Sequence, residues 1–91
     1  MAMINQKVEN NTDQYFSLSR IHPNVWVTVI HVDAGIKATQ RLSGLGIVPG
    51  TPIRVISEAP FHGPLQIEVR GTRLVLGQGL AEKIQVKMGV N

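Results

Sequence analysis

The stretch Arg41-Leu42-Ser43-Gly44-Leu45-Gly46-Ile47-Val48-Pro49-Gly50 constrains this chain more than any other. It reads as the end of a short helix, a forced reversal and the launch of a β-hairpin. Gly46 stands where the residue just past a helix must take φ > 0, which glycine does without a Cβ penalty. Counting back from it, Leu42 and Ile47 occupy the two positions whose apolar contact accompanies a Schellman ending. Pro49-Gly50 then supplies a fixed φ followed by a permissive one, the chemistry of a type II turn. These local rules agree with one another, so a rigid elbow is predicted here.

Both sides of the elbow carry readable periods. Ahead of it, Val25 to Val32 is dense in β-branched and aromatic residues and reads as a strand. Asp33-Ala34-Gly35 breaks it, with Asp33 placed to cap the next element. From Ile36 to Leu45 the apolar residues Ala38, Leu42 and Leu45 recur at helical spacing, which predicts one short amphipathic helix. Beyond the elbow the period becomes two. Ile53-Arg54-Val55 begins a strand that tolerates Pro52 at its first residue. Ala59 to Pro64 is a loop rich in breakers. Leu65, Ile67 and Val69 are expected to face inward, alternating with Gln66, Glu68 and Arg70 toward water. Gly71-Thr72 is read as the hairpin turn before Arg73-Leu74-Val75-Leu76. Gly77 to Glu82 holds a loop and a turn of helix, and Ile84 to Met88 alternates again. Five short strands, one helix between the first two, and glycine-rich corners predict a small closed or nearly closed barrel. Closure would remove apolar strand edges that otherwise invite pairing.

Ahead of this domain, residues 1–16 are rich in amides and polar groups and read as a flexible tail, leaving 17–91 as the barrel. Ser17 to Ile21 is expected to be a short turn of helix or an extended segment, and His22-Pro23-Asn24 a turn. The chain opens with no basic segment leading into an apolar run, so no signal peptide is expected. Its longest apolar stretch, Val25 to Val32, is interrupted by Thr28 and His31 and is too short to span a bilayer. A cytoplasmic location is the expectation. With no cysteine, neither a disulfide framework nor a thiolate site is available. The net charge of +3 comes from singly scattered cations, whereas a nucleic-acid stripe clusters them.

Taken together, Arg41-Leu42, Leu45-Gly46-Ile47, Pro49-Gly50-Thr51, Ile53, Ala59-Pro60, Gly63-Pro64-Leu65, Ile67, Val69-Arg70-Gly71, Leu74-Val75-Leu76, Ala81 and Ile84-Gln85-Val86 resemble the FeoA family. The likeness runs from about Ser17 to Lys87. Where many relatives open with a Leu-x-x-Leu-x-Pro-Gly run, Asn24 replaces the glycine here. Gly77-Gln78 stands where relatives often have Arg or Ser. The resemblance implies a mostly β, five-stranded SH3-like barrel with one short helix. It also implies a non-enzymatic accessory of bacterial ferrous iron transport and iron homeostasis, acting by protein–protein interaction beside a FeoB-like ferrous iron transporter with a GTP-binding domain. The alternative is a detached repressor-type SH3-like module, or a basic small barrel that binds nucleic acid or peptide.

Local chemistry narrows the candidate sites. Catalysis has little to draw on: there is no Gly-x-Ser-x-Gly, no cysteine and no visible carboxylate pair, and Asp33, Glu58, Glu68 and Glu82 read as a cap and three solvated positions. Gly77-Gln78-Gly79 lacks the third glycine, the long helix and the later acid of a dinucleotide site. His22, His31 and His62 are not at helix-face spacing, so no metal ligand set is assigned and no cofactor is expected. The family is often described as binding transition metals, but with no converging ligand set any such ion is expected to be weak and peripheral here. Aromatics are too few for a polyproline groove or a base-stacking platform. What remains is surface recognition. Leu42 and Leu45 share one side of the helix, rimmed by Lys37 and Arg41, the apolar centre and polar rim of an interface. Phe61 and His62, in the proline-flanked loop, form a second candidate patch.

Overall fold

The computed structural model describes residues 14–90. The reading of a flexible N-terminal tail falls almost wholly outside these residues. Of its end, Gln14 and Tyr15 are exposed and Phe16 already belongs to the first strand. The strands are β1 (Phe16–Ser17), β2 (Trp26–Val32), β3 (Pro52–Glu58), β4 (Leu65–Val69), β5 (Thr72–Leu76) and β6 (Ile84–Met88). A 3-10 turn, Leu18–Arg20, follows β1. Helix α1 (Ile36–Gly44) joins β2 to β3, and α2 (Gln78–Ala81) joins β5 to β6.

All strands pair antiparallel in one sheet, ordered β1-β6-β2-β3-β4-β5. The inward alternation expected of β4 holds: Leu65, Ile67 and Val69 are buried, as are Val27, Val29, Ile53, Val55, Ile84 and Val86 from the neighbouring strands. Two bulges curl the sheet around this core. In β2 the register with β6 shifts between Val29 and His31, and in β3 the register with β4 shifts between Val55 and Ser57. An extra residue on one strand bends it and increases the local twist, which wraps a short sheet on itself.

Several sequence expectations change in detail. The barrel has a sixth strand, because Phe16 and Ser17 pair with Val86 and Gln85. Its ladder is not closed: among the described residues no pairing joins β5 to β1. The Ser17 hydroxyl lies 3.4 Å from the Ala81 carbonyl and 3.2 Å from that of Glu82, tying β1 to the end of α2. Asp33 does not cap α1. The cap is Gly35, without a side-chain hydrogen bond, while the Asp33 amide donates to the Lys83 carbonyl at 2.7 Å. The β4–β5 turn is Arg70-Gly71 and not Gly71-Thr72, since Thr72 already pairs with Val69. Both turn residues have positive φ, 52° and 81°, the requirement of a type I′ hairpin. Glu68 is not a free solvated acid, because it accepts from Arg54 across the β3–β4 pair.

Candidate functional site

The elbow forms as its residues dictate. Ile47 N–H donates to Leu42 C=O and Gly46 N–H to Ser43 C=O, both at 2.9 Å, with Gly46 at φ 88°. These are the two bonds of a Schellman ending. The following turn closes with Thr51 N–H donating to Val48 C=O at 3.0 Å, and Gly50 takes φ 94°. Thr51, itself buried, locks the two turns together. Its Oγ1 donates to Gly46 C=O at 2.9 Å and accepts from Val48 N–H at 3.3 Å.

This geometry separates Leu42 from Leu45. Leu42 is fully buried in the core, so it anchors α1 and presents nothing to a partner. Leu45, at the helix cap, stays 42% exposed. Lys37, Arg41 and Leu45 are four residues apart, which sets them in one stripe down the helix, and both cations are exposed. Arg41, in the last turn, also complements the helix dipole.

A residue not singled out from the sequence completes this surface. The Arg70 side chain reaches the elbow: its Cδ and Nε lie 3.5 Å from where a Gly46 Cβ would stand. Arg70 holds a left-handed backbone conformation that asparagine or glycine adopts more easily. The available signal was Gly71 itself, since a type I′ hairpin turn favours glycine at its second central position, which makes Arg70 the first. Lys37 and Arg41 thus share the stripe of Leu45, and Arg70 reaches the neighbouring Gly46 at the end of the same corner. Ile36, 78% exposed, begins the same helix.

The second candidate patch is separate. Phe61 is 97% exposed, and both it and His62 have φ 59°. Gly63 lets the loop fold back, since a Cβ there would stand 2.6 Å from the Ala59 Cβ. His62 lines a polar depression with Arg20, Glu58, Gln78 and Glu82, none of which belongs to α1 or the elbow. All three histidines are exposed, and no cluster of three or more His, Asp or Glu groups that could hold a metal forms among the described residues. No helix of the described chain is long and apolar enough to cross a membrane.

The family model for the FeoA domain matches residues 16–88. The chain belongs to the FeoA family. Asn24 takes φ 68°, a left-handed conformation that asparagine adopts more readily than most residues, and its amide donates to Val55 C=O at 2.6 Å. A Methanocaldococcus jannaschii chain named as an Fe(2+) transport protein A is 41% identical over 61 residues, covering 67% of this chain and 72% of that one. The crystal structure of an iron uptake regulatory protein, FeoA, superposes with a TM-score of 0.76 at 34% identity, covering 81% of this chain and 97% of that one. A manganese-dependent transcriptional repressor in complex with manganese gives a TM-score of 0.78 at 22% identity, covering 86% of this chain and 38% of the repressor. That likeness is one of fold alone, whereas the family match and the FeoA structure support an SH3-like small β domain.

Proposed function

We propose that this FeoA-family protein is a non-enzymatic accessory of ferrous iron uptake that docks on the cytosolic part of a FeoB-type transporter. The docking surface is the stripe Lys37, Arg41 and Leu45 together with Arg70. Family membership supports the transport role. The observation that carries the surface is the exposure of Leu45 beside the buried Leu42, on an elbow held by paired turns. An apolar centre with a charged rim is the anatomy of a protein interface, and a cationic rim selects an acidic counterpart. Because the elbow is already rigid, little ordering entropy is lost on docking.

Ferrous iron uptake by cells lacking their own FeoA protein, complemented with variants of this chain, tests the reading. Leu45→Ser and Arg41→Glu leave the core untouched and are expected to abolish complementation and binding to the transporter's purified cytosolic domain. Phe61→Ser is expected to leave both intact. Full uptake and unchanged binding by folded Leu45→Ser and Arg41→Glu proteins would remove the proposal.

A further inference from the structure

Among the described residues the open ladder leaves β5 as an edge strand. The two-residue turn makes Val69 and Thr72 a hydrogen-bonded pair, and bonded and non-bonded pairs alternate along an antiparallel ladder. Thr72, Leu74 and Leu76 therefore turn their N–H and C=O groups toward β4, while Arg73 and Val75 turn theirs outward. None of the turn, loop and cap hydrogen bonds among the described residues uses those outward groups. Val75 is 66% exposed beside them. Edges of this kind are usually blunted by proline, lysine or a bulge. β5 has no proline or lysine, and its pairing with β4 runs without a register shift from Val69–Thr72 to Leu65–Leu76. Its only charged residue is Arg73.

We propose that β5 is a self-association surface, pairing antiparallel with β5 of a second copy about a two-fold axis at Leu74. The register follows from the strand itself. An axis at Arg73 would set two arginines opposite each other, a like-charge cross-strand pair. An axis at Val75 would set Arg73 opposite Gly77, whose carbonyl already accepts from the Ala81 amide at 3.0 Å. With the axis at Leu74, Arg73 of each copy faces Val75 of the other, and every outward N–H and C=O of the two residues finds a partner. The exposed Val75 methyl groups then pack on the aliphatic stem of the opposite Arg73, a use of arginine as apolar cover. The pairing joins the two sheets into one continuous ladder, and it is a role distinct from docking on a transporter.

Sedimentation velocity of the full chain from micromolar to millimolar concentration tests this. A monomer–dimer equilibrium is expected, with amide exchange at Arg73 and Val75 slowing as the dimer fills. Val75→Lys sets a cation opposite Arg73 and is expected to weaken the dimer about tenfold or more. Val75→Pro removes an outward N–H while sparing the bonds to β4 and is expected to do the same. Should the proline variant not fold, Val75→Lys at its exposed site decides alone. A monomer at every concentration, or a dimer unaffected by the folded variants, would overturn the proposal.

Discussion

The Ile47 amide donates to the Leu42 carbonyl at 2.9 Å, and both side chains are buried. Between these two anchors the chain reverses, so Leu45 has nowhere to go but the rim. The reversal parts the two leucines of the helix, and packing against the sheet then takes Leu42 into the core and leaves Leu45 at the rim. The same constraint makes the elbow sensitive to small changes whose direction can be stated.

Gly44 and Gly46 respond oppositely to alanine. Gly44 ends the helix in open space, and Gly44→Ala is expected to stabilise by about 0.5–1 kcal/mol through helix propensity. Gly46 sits at φ 88° with room for a Cβ at ordinary contact distance from Arg70. Gly46→Ala is therefore expected to cost about 1–2 kcal/mol from backbone strain alone. Urea denaturation of the two variants reads the difference.

Thr51 contributes through its hydroxyl. Thr51→Val keeps the shape but leaves Val48 N–H without its side-chain acceptor and Gly46 C=O without its donor, and it is expected to cost about 1–3 kcal/mol. Thr51→Ser should retain most of that stability. Thermal unfolding of the pair separates hydrogen bonding from packing.

Arg70→Asn divides stability from binding. Asparagine suits the left-handed first position of the hairpin turn better than arginine, so a gain of a few tenths to about 1 kcal/mol is expected. The cation beside the elbow is lost at the same time. Isothermal titration against the transporter's cytosolic domain should show weaker binding by the more stable protein.

Trp26 reports on the Arg54–Glu68 pair. The Arg54 guanidinium stands 5.6 Å from the Trp26 ring centroid and is held there by Glu68. Glu68→Gln is expected to loosen this stack and shift the emission of the chain's single tryptophan. With both partners partly exposed, the expected stability loss is only about 0.5–1 kcal/mol and shrinks with added salt. Fluorescence and denaturation across a salt series check both effects.

Much of the fold was legible because its signals are local. The Schellman bonds, the type II turn at Gly50 and the alternation of Leu65, Ile67 and Val69 each depend on residues a few positions apart. The departures came where pairing between strands or segments decided. Asp33 looked like a cap, yet its amide is engaged by Lys83 across the fold. Glu68 looked solvated, but only strand pairing shows that Arg54 stands opposite it. The hairpin turn slipped by a residue because Arg70 fits the alternating pattern, and only pairing of Val69 with Thr72 places it at the tip. The candidate site was half visible: Lys37, Arg41 and Leu45 follow from helical spacing, while Arg70 reaches them only through the hairpin.

By itself the sequence determined most of the elements, the two turns of the elbow and the inward faces, because backbone conformational preference and hydrophobic period act over a few residues. Tertiary structure alone decided that, among the described residues, the sheet stays open at β5 and that the Arg70 stem lies beside the elbow. It also decided that Leu42 is core while Leu45 is not. Those outcomes depend on which strand ends meet and how far each bulge bends them, and such long-range contacts are set by the packing of the whole core.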